Sequence, residues 1–377
     1  MHIDVMIVDQ VVRTFTGLVG LGLIFLALFD VFETVVVPNL GFRHFRLTTI
    51  LIRRLLWGIW RRCSEFFYNQ RTRNRFLGLF APLSILISLL VWMNVFLLGF
   101  SLIVLAFGGG ISPPLKDFAT AFYFSGSAVM TVGFGDIVPV GPVMRVIVIF
   151  GTMAGLTIMA LVTSLVFSLH SLYQHREAQI LLLEGRAGVP PCALTIYENH
   201  ANLRLVLNLE EFFAKFEEWF ANLVTSHTAY PFMLFFRSFT FGNSWVTSLG
   251  AVMDASMISQ TMLSVNMGGS SILTYKMGLR VLNEIQAFYR MQVLAYDPQD
   301  ELASFHQLRE SLSMAGYELK PEKDSWEKFC RLREQYYPTM VALAKYLAMP
   351  VSTLNRLSPA EFAANKLTAQ RSSSGAF

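Results

Sequence analysis

Six residues, Thr131-Val132-Gly133-Phe134-Gly135-Asp136, constrain this chain more than any others. Two long uncharged apolar runs flank them, Phe76–Phe107 before and Val146–Leu169 after. Each run exceeds the ~20 residues that a helix needs to cross a bilayer. A shorter apolar segment, Ala119–Met130, leads into the six residues and is long enough for about three helical turns. The chain is thus expected to cross, dip back as a helix, pass through a glycine-rich stretch, and cross again.

Non-helical backbone at membrane depth is tolerated only where it is packed in protein or lines a wet path. A metal cation crossing a bilayer must shed its water, and a ring of backbone carbonyls can replace that shell. Neighbouring carbonyls of an ordinary strand point to opposite sides. Turning them one way needs backbone angles that bulky side chains resist, and Gly133 and Gly135 supply that freedom. The expected ion ligands are the carbonyls of Thr131, Val132, Gly133 and Phe134, with the Thr131 hydroxyl at the inner end. One such loop per chain cannot close a ring, so a homotetramer is expected.

The motif resembles the filter pattern T-V-G-[YF]-G-[DN] of the potassium-channel family with one pore loop per subunit. The resemblance covers roughly residues 76–170, and extends to Arg145 and to Gly155, where that family places a hinge glycine. It implies K+ as the conducted ion, a pore loop over 117–136 and an inner helix over 142–170. Gly155, Thr163 and Phe167 are then gating candidates. Phe167, three turns past Gly155, would close the path by a ring of phenyl groups; a lipid-facing phenylalanine is the alternative. Two residues depart from the family's habit. Phe134 replaces the usual tyrosine, so a bracing hydroxyl is missing, and Ser127 stands where some members carry an acid. Asp136, at the outer mouth, is read either as a cation attractor or as a brace.

Composition agrees with a membrane protein: 54% of residues are hydrophobic and only 15% charged. Residues 15–37 form a further membrane-helix candidate after a short polar start. A cleaved signal peptide fits it poorly, because there is no basic start. Asp30 and Glu33 share a face near its end, either simply reaching the interface or latching onto an arginine. The run Asp30–Pro38 also resembles a leader helix of bacterial relatives of the family. Residues 38–75 then hold nine arginines against one acid, Glu65. Such a bias faces the cytoplasm, which puts the N-terminus outside and the C-terminus inside a multi-pass cell-membrane protein. Leu47–Phe67 reads as an amphipathic helix on the inner leaflet, and the basic segment 43–75 is expected to attract anionic lipids. A voltage sensor fits less well, because the arginines come as adjacent pairs, Arg53–Arg54 and Arg61–Arg62. Asn94, alone and strongly polar in its run, suggests a hydrogen bond between helices.

Asp117 favours the start of the pore helix. Gly151 reads as a packing glycine. A helical extension and linker over 171–193 ends in the Pro- and Gly-rich stretch 185–193, and 194–366 reads as helices at 194–226, 243–266, 272–294, 298–315, 322–348 and 358–366. The tail 367–377 reads as disordered. A fourth membrane helix within 229–266 is disfavoured by Arg237 and Asp254; these two with His227 suggest a buried polar cluster.

The expected fold is therefore an all-α membrane protein. It has three transmembrane helices, a re-entrant pore helix with a selectivity filter, and a helical cytoplasmic domain. Cys63, Cys192 and Cys330 lack metal spacing, and reduced thiols are expected. No nucleotide fingerprint, phosphate loop, calcium loop or nucleophile–base pair stands out. No cofactor beyond transported K+, no nucleic-acid partner and no enzymatic activity are expected, and the cytoplasmic ligand is not named by any motif. Two other functions fit the same residues: a weakly selective cation channel, and a non-conducting membrane-anchored signalling or interaction protein.

Overall fold

The computed structural model describes residues 2–37, 51–238, 242–264, 269–293, 295–297, 301–354 and 357. It is mostly helical and divides into two compact units, one of residues 1–66 and 79–170, the other of 67–78 and 171–377. Three helical stretches are long and apolar enough to cross a membrane: Met6–Val36, Gln70–Ala106 and Pro142–Ala187.

In the first unit, α1 spans His2–Val31 and ends in a wide turn over Phe32–Val36. The polar start belongs to this helix instead of preceding it. Asp9 and Arg13 pair across one turn at 2.9 Å, which supports a helix in a segment that hydropathy alone would leave out. Helix α2 covers Trp57–Ser64 after a wide turn at Leu51–Leu56. The expected interfacial helix to Phe67 therefore stops earlier, and Arg43 and Arg46 fall outside the described residues. The long run from Phe76 is broken at Leu79, between α3 (Gln70–Gly78) and α4 (Phe80–Ala106). Pro82 has no N–H to give the carbonyl of Gly78, so the ladder lapses there.

Helix α1 lies along α4. Where they cross, backbone meets backbone. A Cβ on Gly20 would sit 2.6 Å from the Gly99 carbonyl oxygen, and one on Gly99 would sit 2.7 Å from that of Gly20. In lipid, where apolar burial gives little drive, such small residues let helices approach closely. We expect Gly20→Leu to destabilise the purified protein by about 1–3 kcal/mol, read as a lowered thermal midpoint. Gly22→Leu, with nothing within 4 Å of its added Cβ, is expected to be near neutral; equal midpoints for the two variants would refute the crossing.

Asp30 does not reach solvent. It is buried in this helix pair and accepts a hydrogen bond of 2.6 Å from the Trp92 indole. Asn94 bonds the Leu90 carbonyl of its own helix at 2.7 Å, so the expected bond between helices is replaced by a local one. After α4, the chain forms β1 (Ile111–Ser112), α5 (Phe118–Val129), β2 (Val138–Pro139) and α6 (Pro142–Ala187). The two strands pair antiparallel, Ile111 opposite Pro139. They tie the chain before α5 to the chain after it.

The second unit contains α3, the α6 residues from Ser171, and six further helices among the described residues. These are α7 (Ala193–Asn202), α8 (Leu209–Ala229), α9 (Trp245–Thr261), α10 (Ser270–Tyr289), α11 (Leu302–Met314) and α12 (Glu322–Tyr346). The expected helix 194–226 is two helices, because Arg204 takes a left-handed φ of 59° and Leu205 N–H closes back on His200 O. The segment 358–366 lies outside the described residues. Helix α9 is buried almost all round, by α8, α10, α12 and α7. That is why 229–266 is so apolar: it supplies the centre of a helical domain.

Asp254, Arg237 and His227 do not meet as one cluster. Asp254 pairs with Arg333 at 2.6 Å. Arg237 donates to Asn74 Oδ1 on α3 and to the Leu347 carbonyl. His227 bonds Leu223 O at 2.9 Å and packs on the Trp245 ring. Asp254 and Arg237 are each held by partners far away in sequence, which spacing cannot reveal.

Burial, with the Arg176 charge nearby, holds the His227 pKa down to about 3, against 6.5 for a free ring. The folded protein keeps this ring neutral while the unfolded chain takes up a proton first. Stability from this group is thus full above pH ~6.5 and falls as pH drops toward about 3, by up to ~1.4 kcal/mol per pH unit. Hydrogen exchange of α8 followed from pH 7 to 4 is expected to show this slope, and His227→Gln to flatten it. An unchanged slope in the variant would refute the assignment.

Candidate functional site

Helix α5 begins at Asp117, whose carboxylate accepts from the Thr120 N–H at 2.8 Å and from its hydroxyl at 2.7 Å. This is an N-cap, as expected from the sequence. Helix α5 packs on α4, and its opposite end delivers the chain into residues 130–137.

Those residues are fastened to the end of the helix that precedes them. The Ser127 carbonyl accepts from both Val132 N–H (3.0 Å) and Gly133 N–H (3.2 Å). Its hydroxyl accepts from Phe134 N–H at 3.3 Å. A residue with an acid in some relatives of the resembled family is here a small hydroxyl that ties down the backbone directly.

Gly133 and Gly135 take left-handed φ angles of 62° and 80°. Thr131 does so as well, at 58°. A β-branched residue there is a true outlier, with a cost of order 1–3 kcal/mol that surrounding structure must hold in place. Left-handed angles therefore recur at every second residue from Thr131 to Gly135.

Sequence reasoning missed Tyr123. Its ring stacks on Phe134, with centroids 6.0 Å apart and planes within 5°. Its hydroxyl donates to Asp136 Oδ2 at 3.0 Å. Tyr123 thus ties both Phe134, by stacking, and Asp136, by a hydrogen bond, to α5. The available signal was spacing: Tyr123 and Ser127 stand one turn apart on one face of α5.

The remaining candidates lie on α6. A Cβ on Gly155 would come within 2.5 Å of Val129 Cγ1, at the end of α5, so close packing requires glycine here. Gly151 meets the Phe100 ring in the same way. Helix α6 runs without a break through both. Thr163 bonds the Met159 carbonyl of its own helix at 2.9 Å, and Phe167 is exposed. At ~100° per residue, Thr163 and Phe167 share a side that Gly155 does not. At the start of α6, Arg145 donates to the Pro139 carbonyl at 3.1 Å, bracing the turn after the site.

An α6 residue in the second unit is held by a short strap. Arg176 donates to the carbonyls of Met233 (3.0 Å) and Phe236 (2.8 Å) and pairs with Glu177 at 3.1 Å. The Tyr173 hydroxyl reaches the Arg237 carbonyl at 3.1 Å. Arg237 in turn binds α3 through Asn74. One strap, 231–238, therefore grips both the extension of α6 and the helix that leads into α4. Among the described residues, no group of His, Cys, Asp and Glu is placed to hold a metal ion.

The family described as "Ion channel" matches residues 89–171. That match takes in α5, the segment 130–137 and the membrane part of α6. Over 205 residues the chain is 25% identical to the uncharacterized membrane protein YdjJ of Bacillus subtilis (strain 168), covering 53% of this chain. The chain spans 58% of that relative's length. No solved structure matches. Residues 89–171 are thus similar to an ion channel family, and the chain is similar over about half its length to a membrane protein.

Proposed function

We propose that four copies of this chain conduct potassium ions passively across the cell membrane. The observation that carries this reading is the alternating left-handed backbone at Thr131, Gly133 and Gly135, fastened to α5 within an ion channel domain. In the proposed tetramer, the carbonyls of Thr131, Val132, Gly133 and Phe134 replace the hydration shell of K+, with the Thr131 hydroxyl at the inner end. Gly135 and Asp136 close the outer end.

Exposure of apolar side chains supports assembly. Val132 and Phe134 are 53% and 65% exposed in a single chain. Side chains of this size at a site so tightly fastened call for neighbours. In this reading the N-terminus is outside and the second unit is cytoplasmic. Residues 43–75 lie against anionic lipids. Thr163 and Phe167 face the conduction path, and a gate there follows movement of α6. The strap at 231–238 passes cytoplasmic events to α6 through Arg176.

The test is reconstitution of the full chain with opposed sodium and potassium gradients. A reversal potential near that of potassium is expected. One near zero would replace this reading with a weakly selective cation channel, and absence of any flux from tetramers with a non-conducting scaffold. The Tyr123–Asp136 bond gives a finer test. Tyr123→Phe keeps the stacked ring and removes one hydrogen bond to a carboxylate. The variant is expected to carry current that decays roughly tenfold faster under a sustained potassium gradient. Unaltered decay would remove Tyr123 from the brace.

A further inference from the structure

A cavity of about 860 Å³ lies within the first unit, between α1, α4 and the first turns of α6. It falls within the ~300–1,000 Å³ typical of small-molecule sites. Its body is apolar: Leu18, Leu21 and Ile24 from α1, Phe96 and Ile103 from α4, Ile147 from α6. At one end alone the lining turns polar, with Gln10, Arg13 and Thr14. From Gln10 to Ile24 the groove runs about 21 Å along α1. That exceeds one leaflet of hydrocarbon, about 15 Å, so it reaches from headgroup level to the middle of the bilayer.

Water does not suit this space, because a buried water needs two to four polar partners and the body offers hydrocarbon. A membrane lipid suits both ends. Asp9 takes the Arg13 Nε at 2.9 Å, and the side chain remains well exposed, so the two terminal nitrogens form a fork that matches a phosphate. Gly17, Ala106, Gly151 and Ala154 keep the walls low where a chain must pass.

We propose that this groove is a phospholipid site. One acyl chain fills the apolar body, and the phosphodiester sits on Arg13 with Gln10 and Thr14 beside it. The occupant bears on Gly151 and Ala154, so it wedges α1 against the helix proposed to line the pore. The site does not depend on which ion the protein conducts, and its test does not read flux.

The full-length protein is extracted in mild detergent, presented with phosphatidylglycerol or phosphatidylcholine, and weighed intact by native mass spectrometry. Retention of both lipids is expected, since both carry the phosphodiester. Leu18→Trp and Val146→Trp fill the groove from exposed positions (62% and 53%) and are expected to cut retention about tenfold, whereas Leu90→Trp, exposed at 60% outside the lining, is not. Arg13→Gln is expected to weaken retention roughly tenfold, with partial recovery in Arg13→Lys. A photoreactive benzophenone side chain at position 18 is expected to capture lipid. Retention equal in Leu18→Trp, Val146→Trp and Leu90→Trp would overturn the site. So would capture of a second copy of the chain at position 18, which would make the groove an interface between subunits.

Discussion

Gly133→Ala and Gly133→Asp are both expected to abolish potassium flux from the reconstituted full-length protein, for partly different reasons. The added Cβ meets nothing within 4 Å in a single chain, so steric collision inside the subunit is not the cause. The backbone is. At φ 62° a side-chain-bearing residue costs roughly 1–2 kcal/mol. Four subunits would share one ring, so the cost sums to about 4–8 kcal/mol, on the order of a thousandfold or more in the population of the conducting geometry. Aspartate tolerates the left-handed region better than alanine. Were strain the whole effect, it would be the milder change. The proposed assembly adds a second term, four carboxylates crowded around one narrow path. Both variants are therefore expected to lose flux, with Gly133→Asp at least as severe. Assembly, read by intact mass, is expected to persist in Gly133→Ala. Flux within about twofold of the parent in either variant would show that residue 133 does not line the path.

The parts legible in the sequence are those that need only local information. Uncharged runs located the apolar stretches of α1, α4 and α6, because burial in lipid demands length and apolarity and little else, but not the start of α1, which lies at His2 and not at the expected residue 15. Asp117 was readable as a cap, since an aspartate followed by an apolar helix of small residues satisfies its N-terminal amides. Pairings over distance were not readable. Nothing in the run around Gly20 says that it meets Gly99, and both look like ordinary helix glycines. Thr131 resists the left-handed region on its own, so its φ of 58° reflects the ties made by Ser127 and not its own preference. Tyr123 gains meaning only once the chain folds back and lays Phe134 on its ring. The basic bias likewise places Asn74 and Arg75 in one segment, 43–75, expected on anionic lipid, whereas α3 packs with the second unit, where Arg237 holds Asn74.

Arg333→Met is expected to destabilise the second unit strongly. Arg333 has no exposed surface and stands between two carboxylates, Asp254 on α9 and Glu301 just before α11. Its guanidinium also meets the Tyr336 hydroxyl at 2.9 Å and lies over the Tyr337 ring at 4.2 Å. Burial pushes the Asp254 pKa up, and the arginine charge opposes this and keeps the ion pair. Removing the arginine strands two acids in a core built round α9. Breaking a buried pair from one side costs about 3–5 kcal/mol, a large share of the ~5–15 kcal/mol that holds a typical domain. Hydrogen exchange along α9 is expected to accelerate by roughly 10²–10³-fold at neutral pH. Arg333→Lys keeps the charge but loses the fork that serves both acids, so an intermediate acceleration is expected. The decisive variant is the triple change Arg333→Met, Asp254→Asn and Glu301→Gln. With no stranded charge, most of the protection that the single change forfeits is expected to return. A triple variant as fast as the single one would mean that Arg333 acts by volume and aromatic stacking, and that the two carboxylates are incidental. Protection unchanged in Arg333→Met itself would remove the ion network from the account of why this helical unit holds together.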